Sequence, residues 1–249
     1  MADTPAASVP RLLLTGFEGF GQFATNPSWE LARRFQDQNI EMVHVTTAQL
    51  PVNWATAWPT LQAAVEQVDP RWVLMLGVGG TRRVAGAEVR GHNFTTPTRD
   101  NAGELPPPND LIEEDGPEYR IATIPATLLA ERFQESGVPA EISTDAGGFL
   151  CNWVLYKALG YAESRPGIQG VGFVHVPPLP EQGGPGVTLD QLERGLRLAI
   201  DTLVAGAAPL FNLVEAEIEI ERRQEIADRH LAQGLGVRNP TQPEGSAGA

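Results

Sequence analysis

The sequence predicts an α/β fold, a single-domain three-layer α/β/α arrangement around a mostly parallel, twisted central sheet. Residues 71–77 (RWVLMLG) and 170–176 (GVGFVHV) are continuous apolar runs of the kind that form central parallel strands. Such runs alternate with stretches of helical character, which is typical of βαβ units covered by helices on both faces. A chain of 249 residues with 42% hydrophobic residues can bury one large core.

The elements follow one another at regular spacing along the chain. The predicted strands are residues 11–15, 41–50, 71–77, 141–143 and 170–176. The predicted helices are residues 27–38, 54–68, 125–136, 148–159 and 188–204. The first helix has the clearest start signal, because Asn26 is a good cap and Pro27 suits the first helical position.

The predicted domain organisation is simple. Residues 10–235 form one α/β domain, preceded by a flexible N-terminus at residues 1–9. Residues 236–249, rich in Gly, Pro, Ser, Asn and Gln, form a flexible C-terminal tail. No internal repeat interrupts this plan.

Charge and cysteine content exclude several classes of function. A net charge of −13 disfavours nucleic acid and anionic membranes as partners, since both repel an acidic surface. No apolar run approaches the roughly 20 residues of a membrane span, and the N-terminus lacks a secretion signal. The single cysteine cannot form an internal disulfide or a multi-cysteine metal site. We therefore expect a cytoplasmic protein.

The single cysteine is the first candidate for chemistry. Cys151 follows a predicted strand and the small residues Ala146, Gly147 and Gly148, and falls in the first turns of a predicted helix. Unpaired N–H groups and the helix dipole favour a thiolate there, which is the reactive form. On local context alone, a small buried side chain fits this position as well.

Two further residues could complete a catalytic set. His175 lies at the end of an apolar strand, where its ring can act as a base at the open end of the sheet. The same sequence pattern is also typical of a hydrogen-bonded histidine in the core. Glu88 follows a glycine-rich turn and could orient an imidazole, or could be a solvated charge. His92 lies close to Glu88 in the sequence and remains a candidate site residue. His44 and His230 are predicted to be surface or strand-edge residues.

Residues 15–21 (TGFEGFG) superficially match a dinucleotide-binding turn, because they lie between a strand and a helix. Phe17 and Phe20 are too bulky for a turn that must let a pyrophosphate approach the backbone. The strand at 41–50 also ends without an acidic residue for a ribose hydroxyl. A nicotinamide-dependent reductase is therefore a minor alternative.

Taken together, four blocks of sequence resemble the pyroglutamyl peptidase I (pyrrolidone-carboxylate peptidase) family of cysteine peptidases. They are residues 15–21 with 26–30 (NPSWE), 77–93 around Glu88, 142–152 (ISTDAGGFLCN) and 172–180 (GFVHVPPLP). The order Glu, Cys, His is that of the family, and the separations from 88 to 151 and from 151 to 175 are also similar. The likeness extends from about Arg11 to Val204.

The resemblance implies a hydrolase that removes N-terminal pyroglutamate from peptides through an acyl-enzyme. Its triad would be Cys151 as nucleophile, His175 as general base and Glu88 orienting His175. It also implies substrate-binding roles for other residues: Phe17, Phe20 and Phe149 around the pyrrolidone ring, and Asn26 near the loop that shapes the pocket. No cofactor and no metal are implied. The resemblance further implies a homo-oligomer, with a tetramer as one candidate.

The chain also departs from the family pattern. Val89, Arg90 and Gly91 replace a basic residue, an apolar residue and alanine, while Asn93 is retained. Arg99 is out of register with an arginine expected before Asp100, and Val78 stands where a polar pocket residue can occur. These changes motivate an alternative hypothesis, a binding or regulatory member of the same fold with impaired catalysis.

Overall fold

The structure is a computed structural model that describes residues 9–108 and 110–205. Within these residues the chain forms nine strands: β1 (Arg11–Phe17), β2 (Gln38–Ile40), β3 (Val43–Leu50), β4 (Trp72–Val78), β5 (Ala85–Glu88), β6 (Arg90–His92), β7 (Tyr119–Ile121), β8 (Ala140–Ser143) and β9 (Gly170–Val176). Of the predicted flexible N-terminus at residues 1–9, all but residue 9 lies outside the described residues, as do the predicted tail at 236–249 and the last part of the predicted domain.

The described residues also form five α-helices: α1 (Pro27–Ala32), α2 (Ala57–Val68), α3 (Ala126–Glu135), α4 (Leu150–Glu163) and α5 (Leu189–Val204), of which α5 follows the last strand. Two short 3₁₀ turns accompany them, at Arg33–Phe35 and Pro180–Gln182. Thr188 caps α5 through a reciprocal pair of hydrogen bonds with Gln191. Within the described ranges, no helix combines the length and the apolar composition that a membrane crossing requires.

The central sheet has seven strands in the order β2-β3-β1-β4-β9-β5-β8. The central strands β3, β1, β4 and β9 are parallel to one another, while β2 runs antiparallel to β3. At the other side, β5 is antiparallel to β9 and parallel to β8. Strands β6 and β7 form a separate antiparallel pair. The predicted α/β fold with a mostly parallel sheet is confirmed.

Helices cover the two faces of this sheet. Helices α2 and α4 pack together on one face, against alternate residues of the central strands such as Leu13, Val73 and Phe173. Helices α1, α3 and α5 pack on the other face. Both central runs identified in the sequence, β4 and β9, are buried along their whole length. The core therefore lies on both sides of the strands that carry the site.

The structure differs from the sequence prediction in the end of the first helix and in four short strands. The first helix ends at Ala32 and continues only as a 3₁₀ turn, because Asp37 adopts a left-handed backbone (φ 56°) and the chain turns back to form β2. The short strands β2, β5, β6 and β7 were not predicted. They have three or four residues each, too few for a periodic apolar pattern to reveal them.

The glycine at the end of β1, the first of the glycine-rich stretch, has a structural explanation. A Cβ atom on Gly16 would lie 2.5 Å from the backbone carbon and oxygen of Ser28 and 2.6 Å from the backbone nitrogen of Trp29. Gly16 thus lets the start of α1 approach β1, and the Phe17 N–H donates to Ser28 Oγ at 3.0 Å. The apparent dinucleotide-binding pattern is a helix–strand packing motif.

We expect Gly16→Ala to destabilise the protein by about 1–3 kcal/mol, because the new methyl group must displace backbone rather than a flexible side chain. Gly167→Ala is the matched control, since a Cβ there meets nothing within 4 Å. Urea denaturation of both variants measures the difference. Equal stability of the two variants would contradict this packing role.

Candidate active site

His175 lies near the end of β9 between two glycines on the neighbouring strands. It pairs in register with Gly77 of β4 on one side and with Gly86 of β5 on the other. Because paired residues in adjacent strands point to the same face, both neighbouring positions on the His175 face lack a side chain. This face therefore has open space on each side of the imidazole.

Glu88 on β5 contacts His175 on the adjacent strand β9 along a diagonal. Glu88 pairs with Phe173, two residues before His175, so its side chain emerges on the same face as the imidazole. Its Oε1 accepts a hydrogen bond from His175 Nδ1 at 2.7 Å. Glu88 is fully buried and His175 is nearly so. This bond fixes the ring orientation and leaves Nε2 as the free ring nitrogen.

Cys151 occupies the open space above Gly77. A Cβ atom on Gly77 would lie 2.8 Å from Cys151 Sγ, so any larger residue would displace the sulfur. Helix α4 begins at Leu150 after Phe149, which makes no side-chain capping hydrogen bond. The first backbone N–H groups of a helix lack intrahelical partners and carry the positive end of its dipole. The half-buried thiol thus lies at a site that favours negative charge.

Asn152 anchors the start of α4, a role that the sequence did not reveal. Its Oδ1 accepts from the His92 N–H at 2.7 Å, and its Nδ2 donates to the carbonyl oxygens of His92 (2.8 Å) and Phe94 (3.0 Å). The side chain is completely buried. These bonds tie the residue after the cysteine to the end of β6 and to Phe94 beyond it, and β6 begins two residues after Glu88.

The electrostatics of His175 reflect both neighbours. Burial by itself lowers the pKa of His175, because it removes water from the charged ring. The negative charge and hydrogen bond of Cys151, followed by those of Glu88, outweigh burial and raise this pKa to about 9. The imidazolium form is therefore favoured at neutral pH, as a thiolate–imidazolium pair requires.

An aromatic pocket adjoins the sulfur. It contains about 240 Å³ of empty space and is lined by Phe17, Phe20, Asn26, Val52, Val78, Phe149, Leu150 and Cys151. All four residues assigned to substrate binding from the sequence thus line the same pocket as the thiol. A larger surface depression beside Glu66 and Arg165 contains none of these residues.

Asn26 lines the pocket but uses its polar atoms within the protein. Its Oδ1 accepts from Ser28 N and Ser28 Oγ, at 3.0 and 2.8 Å, and its Nδ2 donates to the Glu18 carbonyl oxygen at 2.9 Å. Asn26 therefore joins the loop after β1 to the cap of α1. It shapes the pocket wall that contains Phe17 and Phe20.

Trp54 supports the opposite wall and was not identified from the sequence. Its ring packs edge-on against Phe149 with centroids 5.2 Å apart. Its backbone N–H donates to Asp100 Oδ2 at 2.9 Å, and its indole N–H donates to the Thr98 carbonyl oxygen at 3.0 Å. The carboxylate of Asp100 thus positions Trp54, and Trp54 in turn supports Phe149 in the pocket wall. No periodic pattern would have linked residues 54 and 100.

The remaining candidates lie in other environments. His92 Nε2 contacts the Thr144 carbonyl oxygen at 2.9 Å, and His44 Nδ1 contacts Asn39 at the sheet edge. Arg99 is exposed and donates to the Gly103 carbonyl oxygen. His230 lies outside the described residues. Within the part of the chain that the structure describes, no group of three or more His, Cys, Asp or Glu side chains is arranged to hold a metal ion.

Known proteins with similar sequences are peptidases. Pyrrolidone-carboxylate peptidase 1 of Photorhabdus laumondii is 35% identical over 201 residues, which cover 76% of this chain and 91% of that protein. Pyrrolidone-carboxylate peptidase of Bacillus cereus is 32% identical, with 76% and 91% covered. The similarity thus spans nearly the full length of both relatives.

Solved structures of similar fold are also pyroglutamyl peptidases. Pyroglutamyl peptidase I of Bacillus amyloliquefaciens superposes with a TM-score of 0.74 at 29% identity, over 79% of this chain and 97% of that one. Pyrrolidone carboxyl peptidase of Thermococcus litoralis gives 0.74 at 30% identity, over 79% and 94%. The family model of pyroglutamyl peptidases matches residues 10–206. This chain therefore belongs to the pyroglutamyl peptidase family.

Proposed function

We propose that this protein is a pyroglutamyl peptidase I, a cysteine peptidase that hydrolyses the amide bond after an N-terminal pyroglutamate. The observation that carries the proposal is the placement of His175, which bonds a buried carboxylate and pairs in register with Gly77, where the missing side chain is replaced by the only thiol of the chain. A thiol beside a base that is itself oriented by an acid is the arrangement that activates a cysteine. The names and functions of the family relatives point to the same activity.

The first half of the reaction forms an acyl-enzyme. The Cys151 thiolate attacks the carbonyl carbon that joins pyroglutamate to the next residue, and the carbonyl electron pair moves onto oxygen. Backbone N–H groups at the start of α4 stabilise this oxyanion. His175 then donates its proton to the amide nitrogen, the C–N bond breaks, and the shortened peptide leaves with a free amine.

The second half regenerates the thiolate. Neutral His175 takes a proton from a water molecule, whose oxygen attacks the thioester carbon. The C–S bond breaks, its electron pair returns to sulfur, and free pyroglutamate leaves. Glu88 keeps Nδ1 of the ring protonated throughout, so that Nε2 exchanges the proton in both halves. No cofactor enters this sequence of steps.

The pocket chemistry supports selectivity for a neutral ring. Phe17, Phe20 and Phe149 present aromatic surface beside the sulfur. A lactam ring is flat, small and uncharged, so such walls can bury its carbon atoms, while its N–H and C=O groups need hydrogen-bond partners. A peptide with a free, charged N-terminal amine would lose hydration in the same space without a compensating partner. This difference in desolvation gives the discrimination.

Two further features belong to the proposal. A cytoplasmic location is supported by the single cysteine, which works as a free thiolate in a reducing compartment. A homo-oligomer, with a tetramer as the candidate, rests on the family resemblance alone. Analytical ultracentrifugation of the full chain tests the oligomer directly.

We expect Cys151→Ser to lower kcat at least ~10³-fold on a pyroglutamyl substrate with an amide-linked chromophore, because a hydroxyl is far less acidic than a thiol. The change is nearly isosteric, so the thermal melting temperature should stay within a few degrees of wild type. Cys151→Ala is the control for residual activity. Turnover by either variant at the wild-type rate would exclude Cys151 as the nucleophile.

The pH profile should report the raised pKa of His175. His175 must carry a proton to release the amine, and its pKa is about 9, so kcat/KM should be high below this pH and fall as pH rises through it. Glu88→Gln removes a negative charge that raises this pKa, and should move the alkaline limb to lower pH. An alkaline limb that is unchanged in Glu88→Gln would refute the role of Glu88.

A further inference from the structure

We propose that Arg82 is a positioning residue of the catalytic triad, one that fixes the Glu88 carboxylate toward His175 and couples it to the segment leading to Cys151. This inference rests on the proposed function, because it assigns the residue a part in the same reaction. Neither the sequence pattern nor the aromatic pocket points to Arg82. The inference comes from its contacts and from the space made for its side chain.

One nitrogen of the guanidinium group joins three segments of the site. Arg82 Nη2 lies 2.9 Å from Glu88 Oε1, 3.0 Å from Ser143 Oγ and 3.0 Å from the Asp145 carbonyl oxygen. Ser143 ends β8, and Asp145 belongs to the turn that leads into α4. Arg82 therefore connects the carboxylate of the triad with the chain that delivers the nucleophile.

The side chain of Arg82 lies across two glycines. A Cβ atom on Gly79 would lie 2.5 Å from Arg82 Cδ, and a Cβ atom on Gly86 would lie 2.2 Å from Arg82 Nη1. Gly86 is the residue paired with His175 on β5. The missing side chain beside the imidazole is thus replaced by the guanidinium group, as the missing side chain of Gly77 on the other side is replaced by the sulfur.

Glu88 depends on few partners for its orientation. Oε1 accepts from both His175 and Arg82, whereas Oε2 is buried without a hydrogen-bond partner in the described residues. A buried carboxylate is costly unless cations and donors compensate it. Without Arg82, the bond to His175 would be the only one left to hold and compensate this buried carboxylate.

Arg82 contacts two carboxylates, and only the contact with the exposed one resembles a surface ion pair. Its side chain is 22% exposed, and the more distant contact of Nη1 with Glu141 Oε1, at 3.8 Å, involves a carboxylate that is 58% exposed. Such exposed pairs contribute little. The contact with Glu88 is 2.9 Å long and involves a fully buried carboxylate, so Arg82 acts mainly inward, on Glu88 and through it on His175.

The test compares Arg82→Met with Arg83→Met, a change of the same type at the exposed neighbouring residue. Two readouts are needed: kcat and KM on a pyroglutamyl substrate, and the rate of Cys151 alkylation by iodoacetamide between pH 5 and 9. Loss of the arginine should lower kcat about 10–100-fold with KM changed less than about 2-fold, as for other partners behind a reacting group. Alkylation at pH 7 should slow about 10-fold, because the imidazolium beside the thiol is less firmly held.

A double-mutant cycle distinguishes positioning from a general structural effect. In a Glu88→Gln background, Arg82→Met should cost little more, because its effect passes through Glu88. Additive losses would overturn the proposal, as would wild-type kcat and alkylation in Arg82→Met. If Arg82→Met does not fold, Arg82→Lys is measured in the same way. It keeps the charge but loses the fork of donors, so an intermediate kcat is expected and a wild-type kcat would overturn the proposal.

Failure of the proposed function would look different. A wild-type protein that does not release the chromophore contradicts the peptidase assignment. The alkylation rates would still report whether Arg82 acts on the thiol through Glu88 and His175.

Discussion

The hydrogen bond between the buried Glu88 carboxylate and His175, 2.7 Å long, is the interaction on which the rest of the site depends. A carboxylate and an imidazole in a nearly dry interior stabilise each other only while they are paired, because each alone would lose its hydration without compensation. The bond settles which ring nitrogen faces the thiol. Together with Cys151, it also keeps the pKa of His175 high despite burial, which on its own lowers it.

The sheet makes room for this pair by leaving out side chains. Gly77 and Gly86 flank His175 in register, and the two spaces are filled by the sulfur of Cys151 and the guanidinium group of Arg82. Groups far apart in the chain can meet at one residue because three adjacent strands, β4, β9 and β5, determine their spacing. The reactive groups thus lie on rigid elements, and close packing limits how far they can move.

The sequence was informative where a signal is local and strong. The long apolar runs predicted β4 and β9, and Asn26 with Pro27 predicted the start of α1, which forms as expected. The end of α1 and the short strand β5 were missed, since they depend on a turn at Asp37 and on pairing with distant segments. Arg82, Trp54 and Asn152 were missed for the same reason. Each acts through a tertiary contact, and the residues next to it in the sequence do not indicate that contact.

By our proposal, Cys151, His175 and the aromatic pocket form one reaction centre. A crystal structure with an aldehyde analogue of pyroglutamate, which has hydrogen in place of the leaving amide, tests it most directly. We expect a covalent bond between Cys151 Sγ and the former aldehyde carbon, with the analogue's ring between Phe17, Phe20 and Phe149 and the His175 ring within hydrogen-bond distance. An analogue bound elsewhere, or left unreacted beside an inert thiol, would contradict it.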